Sequence, residues 1–181
     1  MDESKKDITI RKFEEKDIPN KVKWINDKCN NNYLHYDLPL TLDKTAIWYE
    51  NIKNLSNRYD AIIEYKKIPV GVIGIINIGK RKGEYYITLG ETDYKRKGIS
   101  YVASQKLIDY GFSELGLEKI WLCVDYDNIA ARKLYEKLGF KLEGILRKDI
   151  YFKGKMIDRC MYGIIKEEWS DRNEHTNNKR G

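Results

Sequence analysis

Residues that build metal centres and disulfide frameworks are scarce in this chain. Two histidines, His35 and His175, are too few for a histidine-based metal site, so no metal is expected. Three cysteines, Cys29, Cys123 and Cys160, are odd in number, far apart and without ligand spacing. Small free thiols in a reducing cytoplasm are the expectation. No apolar run approaches the roughly 18 residues of a membrane span. The opening Met1 to Asp7 is polar and lacks the apolar core of a secretory leader, so a cytoplasmic protein that does not engage a membrane is expected. Neither an internal repeat nor a nucleic-acid motif is present. The net charge of +6 is spread over basic residues interleaved with Asp and Glu, a pattern that does not favour a nucleic-acid partner.

What is present suits one compact α/β domain with a highly charged surface: 181 residues, 41% apolar and 34% charged. Ile8 to Phe13 alternates as a strand. Asp17 to Asp27 reads as a helix opening near Pro19, broken by Asn30-Asn31-Asn32. Leu42 to Leu55 is a second helix, with Thr41 or Asp43 as its cap. Tyr59 to Tyr65 and Val70 to Ile78 are strands joined by a turn through Lys66-Lys67-Ile68-Pro69, and a polar loop, Gly79 to Gly83, leads to a strand Glu84 to Glu91. Lys119 to Val124 is a further strand, followed by a helix from about Asn128 to Leu138 that Gly139 stops. Leu142 to Arg147 and Met156 to Ile165 form a closing strand pair around Lys153-Gly154-Lys155. Residues 1–7 and the polar tail 170–181 are expected to be flexible.

Two motifs carry chemistry. Lys95-Arg96-Lys97-Gly98-Ile99-Ser100 lies between the strand ending at Glu91 and a helix whose Ala103, Leu107 and Tyr110 fall at helical spacing. A basic, glycine-containing loop that opens a helix builds an anion site, because the glycine lets backbone approach a ligand and the helix N-terminus offers unpaired N–H groups. The second motif is Asn128-Ile129-Ala130-Ala131, running on through Leu134-Tyr135-Glu136-Lys137-Leu138-Gly139-Phe140.

Together these motifs resemble the GNAT superfamily of acetyl-CoA-dependent N-acetyltransferases, whose loop reads Gln/Arg-x-x-Gly-x-Gly/Ala where this chain has Lys95-x-x-Gly98-x-Ser100. Both ends of the loop depart from that pattern, although Lys keeps the charge and Ser stays small. The resemblance spans residues 8–169 and implies a mixed central β-sheet, splayed at the cofactor site and flanked by helices. It implies that acetyl-CoA is the cosubstrate, with the pyrophosphate cradled by backbone from Lys95 to Ser100 (Lys95, Arg96, Lys97, Gly98, Ile99, Ser100). The cation excess suits such a polyphosphate ligand.

Other roles follow from the same resemblance. Backbone around Thr88, Leu89 and Gly90 would pair with the pantetheine arm and polarise the thioester carbonyl. Gly90 equally reads as a plain strand end. Asn128 is a good helix N-cap and, by resemblance, a pantetheine contact. Tyr135 sits on the apolar stripe Ala131, Tyr135, Leu138 and reads as core. The resemblance makes it the acid that protonates the departing thiolate, a role a phenol with a reference pKa of about 10 can fill. For the base, Glu91 is the first choice, with Glu84 and Asp125 flanking the same region. His35 and Tyr36 lie where the family builds part of its acceptor pocket, in a stretch that otherwise reads as an ordinary connecting loop.

The opening Val22-Lys23-Trp24-Ile25-Asn26-Asp27 resembles one shared by several branches, aminoglycoside-modifying and polyamine acetyltransferases among them, and the ending Gly139 to Arg147, followed by Tyr151, Gly154 and Asp158, resembles two, ribosomal-protein N-terminal and amino-sugar-nucleotide acetyltransferases. The expected acceptor is a small primary amine, an amino-sugar nucleotide first and a protein N-terminus second. Lys80, Arg81 and Lys82 are candidate partners for a nucleotide diphosphate. A non-catalytic acyl-CoA-binding module is the reading from another class. An exposed edge in the closing strand pair would support a homodimer.

Overall fold

The computed structural model describes residues 6–178, with side chains to residue 172; of the segments expected to be flexible, 1–7 and 170–181, residues 1–5 and 179–181 lie outside the described residues. Strands β1 (Ile8–Lys12), β2 (Tyr59–Tyr65), β3 (Ile68–Gly79), β4 (Lys82–Leu89), β5 (Lys119–Asp125), β6 (Lys141–Phe152) and β7 (Lys155–Ile165) form one sheet, ordered β1-β2-β3-β4-β5-β7-β6. Neighbours run antiparallel except β4 and β5, which are parallel. Helices α1 (Ile18–Asn26) and α2 (Leu42–Ile52) precede β2, α3 (Ile99–Ser113) links β4 to β5, and α4 (Ile129–Leu138) links β5 to β6.

Period-two alternation divides the central strands between two cores. Ala61, Ile63, Ile73 and Ile75 face a large core that includes Leu107 and Ile108 of α3 and Leu138 of α4. Ile62 and Val72 face the other way, against Phe13, Ile18 and Trp24. Each fully buried Ile contributes roughly 1.5–3 kcal/mol of transfer free energy, so slipping β2 or β3 by one residue would exchange these sets at a cost of several such terms.

Four boundaries differ from the sequence reading. Lys66 and Lys67 both have positive φ, as do Lys80 and Arg81. Each pair forms a tight two-residue turn matched to strand twist, so β3 begins at Ile68 and β4 at Lys82 without a polar loop between. Pro69 pairs with Glu64 where the β2–β3 ladder is irregular, a place that tolerates a missing N–H. Strand β6 continues to Phe152 past a register shift at Lys148, which also has positive φ. Helix α5 (Lys166–Asn178) occupies most of the segment read as a polar tail. Its first turn is held by the buried Trp169, whose indole N–H donates to Asp109 at 2.6 Å, and by Glu168 paired to Lys141 at 2.5 Å.

The feature that positions the site is a split in the sheet. Strands β4 and β5 pair only from Lys82–Lys119 to Glu84–Trp121, although β4 runs on to Leu89 and β5 to Asp125. Tyr86 to Leu89 are therefore only half-buried in the middle of a seven-stranded sheet. Among the described residues no helix is long and apolar enough to cross a membrane.

Candidate active site

Backbone chemistry opens the split. Beyond Glu84 the polar groups of β4 that face β5 have no strand partner, and unpaired backbone donors and acceptors seek a ligand or water. Thr88 and Leu89 are held from behind by β3. At Gly71 a Cβ would lie 2.5 Å from the Thr88 carbonyl oxygen, so the close approach of these strands requires glycine there.

The N-terminus of α3 follows the end of β4 across a short loop. Gly98 precedes it with φ +75°, in the left-handed region, and no side chain caps the helix. The first intrahelical acceptor is Gly98 O, which receives Val102 N–H at 3.1 Å, so the N–H groups of Ile99, Ser100 and Tyr101 are left over. Thr41 caps α2 and Asn128 caps α4 through their side chains, whereas α3, like α1, has none. Arg96 and Lys97 are exposed beside it. Lys95 is not available to the same anion site: its ammonium bonds Asn30 Oδ1 at 2.7 Å and Cys29 O at 3.3 Å, tying the loop to the end of α1. The Ser100 carbonyl accepts from Ser104 Oγ, which shares a 2.6 Å hydrogen bond with Tyr85, so this first turn is locked to β4.

Tyr135 reaches the split from α4. Its side chain packs edge-on against Tyr85 and Phe140 and the residue is 7% exposed. Burial pushes its phenol pKa upward. A proton is thus held on the oxygen through the physiological range, which an acid needs. Among the described residues the hydroxyl has no hydrogen-bond partner, yet no buried side-chain oxygen is left unsatisfied, so the oxygen itself reaches accessible space. Asn128 Oδ1 accepts Ala131 N–H at 3.2 Å, which leaves its amide hydrogens for another acceptor.

Other candidates stand differently from expectation. Glu91 Oε1 accepts from Lys23 at 2.6 Å and from the Trp24 indole at 2.8 Å, and these bonds hold its carboxyl below the usual range. A carboxylate so engaged is a weak base; it acts as a clamp between α1 and the end of β4. Gly90 is required by packing, since a Cβ there would fall 2.0 Å from Cγ of Trp24. His35 and Tyr36 part company. Tyr36 lies near Arg58, Asp60 and Tyr86, and desolvation raises its pKa. His35 Nε2 is 3.1 Å from Asp125 Oδ2, with its ring 4.8 Å from that of Phe152. Lys80–Lys82 sit at the opposite end of β4 from Gly90, at least about 26 Å away at the usual strand rise per residue. Arg81 there pairs with Glu118.

A cavity of about 330 Å³ opens beside the β5 edge of the split, lined by Asn32, Tyr33, Asp125, Asp127, Phe152 and Lys153 among others. Asp125 is only 6% exposed. The tip of the β6–β7 hairpin that supplies Phe152 and Lys153 read as a plain turn, and no local signal marks it as a cavity wall. Asn30 went equally unnoticed within a helix-breaking run. Its amide donates to Gly90 O at 2.8 Å and to Trp24 O at 3.1 Å. Among the described residues no group of three His, Cys, Asp or Glu is placed to hold a metal ion.

The family model described as an acetyltransferase (GNAT) domain matches residues 7–141. A Bacillus subtilis protein provisionally named a ribosomal N-acetyltransferase is 32% identical over 90% of this chain and 93% of its own length. The spermidine N(1)-acetyltransferase of Escherichia coli K12 is 31% identical over 67% of this chain and 71% of its own. In fold, the chain resembles the Vibrio cholerae spermidine N-acetyltransferase solved with CoA and spermine, at a TM-score of 0.84, 24% identity, and 91% and 99% coverage.

Proposed function

The chain belongs to the GNAT acetyltransferase family and is an acetyl-CoA-dependent N-acetyltransferase, and from that premise we propose that its acceptor is a small cationic amine of the polyamine class. The observation that carries this reading is Asp125. It is a nearly buried carboxylate at a cavity beside the split, and among the described residues its side chain has His35 as its one hydrogen-bond partner. A desolvated carboxylate calls for a cation. Asp127 adds a second negative charge to the same lining. The E. coli relative is named for spermidine. The amino-sugar nucleotide favoured by sequence loses its diphosphate site, because Lys80–Lys82 lie at the wrong end of β4. Lys153 and Lys155 on the cavity rim favour, as a second reading, an acceptor that also carries negative charge.

The residues divide the chemistry as follows. The uncapped N-terminus of α3, with Arg96 and Lys97, takes the pyrophosphate. Free backbone groups of β4 around Thr88 and Leu89 align the pantetheine arm and polarise the thioester carbonyl, and the Asn128 amide adds a donor at the facing lip. Tyr135 gives its phenol proton to the sulfur as the C–S bond breaks. The outer strand β6 lies at the sheet edge with Leu142, Ile145 and Tyr151 exposed, which favours self-association.

The test is CoA release measured with spermidine, an amino-sugar nucleotide and a ribosomal-protein N-terminal peptide. The reading predicts kcat/KM above roughly 10⁴ M⁻¹s⁻¹ for spermidine, the lower end of ordinary enzyme efficiency, and much less for the others. Efficient turnover of another member of the panel, with none of spermidine, would replace the acceptor.

A further inference from the structure

The connection between α1 and α2 crosses the mouth of the split and grips both lips. On the β4 side Asn30 holds the Gly90 carbonyl at 2.8 Å. On the β5 side His35 holds Asp125 at 3.1 Å, and Tyr33 Oη reaches Asp127 O at 3.4 Å. His35 is therefore held against the β5 edge of the opening. Its side chain is 26% exposed, next to Asp125 and Phe152, both of which line the cavity.

From this placement we propose that His35, oriented by Asp125, is the base that takes a proton from the acceptor's ammonium. The proposal rests on the reading of the chain as an amine N-acetyltransferase. It fills a gap in that reading, because Glu91 is engaged by Lys23 and Trp24 and a polyamine reaches the site protonated. An ionised carboxylate only accepts hydrogen bonds. The 3.1 Å contact accordingly puts the imidazole hydrogen on Nε2 and leaves the Nδ1 lone pair open. The carboxylate also stabilises the imidazolium that forms, the orienting role an acid residue plays in other His-dependent catalysts.

The proton balance closes. Nδ1 removes one proton from R–NH3+, and the freed lone pair attacks the thioester carbonyl carbon. As the C–N bond forms, the C–S bond breaks, and the sulfur takes the phenol proton of Tyr135. A second proton from the now acylated nitrogen restores the phenol, and the imidazolium returns its proton to solvent. Asp125 is a positioning residue in this scheme. The other charged or titratable residues lining the cavity are Asp127, Tyr33, Lys153 and Lys155, and Arg159, paired with Asp149, lies opposite Asp125 on β7.

The test is the pH profile of kcat/KM between pH 7 and 9.5, with spermidine as acceptor, for wild type, His35→Gln and Asp125→Asn. Calorimetry with acetyl-CoA serves as the check that each variant is folded. The proposal predicts that His35→Gln loses on the order of 10²-fold at pH 7. The deficit shrinks about tenfold per pH unit, because more amine arrives already neutral. Asp125→Asn shows a smaller loss with the same pH trend. A deficit that stays constant with pH, or none, would overturn the base role and leave His35 as a binding residue. If wild type released CoA with no amine of the panel, the acceptor reading itself would fall, and the base proposal with it; the wild-type trace alone separates these two failures.

Discussion

The ring of Trp24 lies across Gly90 so closely that a Cβ on the glycine would sit 2.0 Å from Cγ of the indole. The same indole donates to Glu91, and Trp24 is 1% exposed. One contact thereby sets where α1 meets the end of β4, at the lip of the split.

Gly90→Ala should therefore displace Trp24 and break its bond to Glu91. The expected cost is about 1–3 kcal/mol, the usual range for overpacking, with weaker acetyl-CoA binding because the β4 lip moves. Urea denaturation checks the first part and calorimetry the second. An unchanged midpoint would show that α1 can shift freely.

Gly98 invites a cleaner test, since nothing lies within 4 Å of a Cβ placed there and its φ of +75° is one that Asn and Asp tolerate. Gly98→Asp should reduce acetyl-CoA affinity by on the order of tenfold or more, through negative charge at the helix N-terminus. Gly98→Asn, matched in shape but neutral, should lose much less. Equal losses for the two would point to backbone strain instead of the anion site.

For Glu91→Gln the expectation is near-normal turnover and a stability loss of no more than about 1 kcal/mol, the scale of a half-exposed ion pair with Lys23. A fall in kcat on the order of 10²-fold that deepened at low pH would restore Glu91 as the base.

Lys21 predicts a pH dependence of stability. It is 5% exposed with its ammonium 3.7 Å from the Trp48 ring centroid. Burial lowers its pKa to about 8, against the pull of Asp60 and with some help from Arg58. Between pH 8 and 10.5 the unfolded chain keeps this proton while the folded chain releases it, so stability rises with pH across that window. The full gain is about 3 kcal/mol at 1.36 kcal/mol per unit. The buried phenols of Tyr85 and Tyr86 have raised pKa values, so their contribution is lost as pH rises beyond 10, and the measurement belongs between pH 7 and 10. Urea titrations should show wild type gaining stability across it and Lys21→Met not. Parallel curves would contradict the burial of a charged Lys21.

Much of this was legible in the residues. The runs Tyr59–Tyr65 and Val70–Ile78 read correctly as strands of β2 and β3, and the paired motifs at Lys95–Ser100 and Asn128–Phe140, through the family they resemble, implied a sheet splayed between them. What escaped was long-range or depended on backbone sign. Lys80 and Arg81 carry no glycine, the usual mark of a left-handed turn, so their tight hairpin read as a polar loop. The His35–Asp125 pair is separated by 90 residues, and only the split brings it together. The loop from Lys95 to Ser100 was marked by resemblance, but nothing local showed that the Lys95 side chain bonds Asn30, 65 residues away.

The account stands most directly on Tyr135→Phe, which removes one oxygen and keeps the ring that packs against Tyr85 and Phe140. Single-turnover acetyl transfer at pH 7.5, with acetyl-CoA affinity measured alongside, should show the chemical step slowed on the order of 10²-fold and the affinity unchanged. A chemical step equal to that of wild type would contradict it, returning Tyr135 to the core and leaving the sulfur to be protonated from elsewhere.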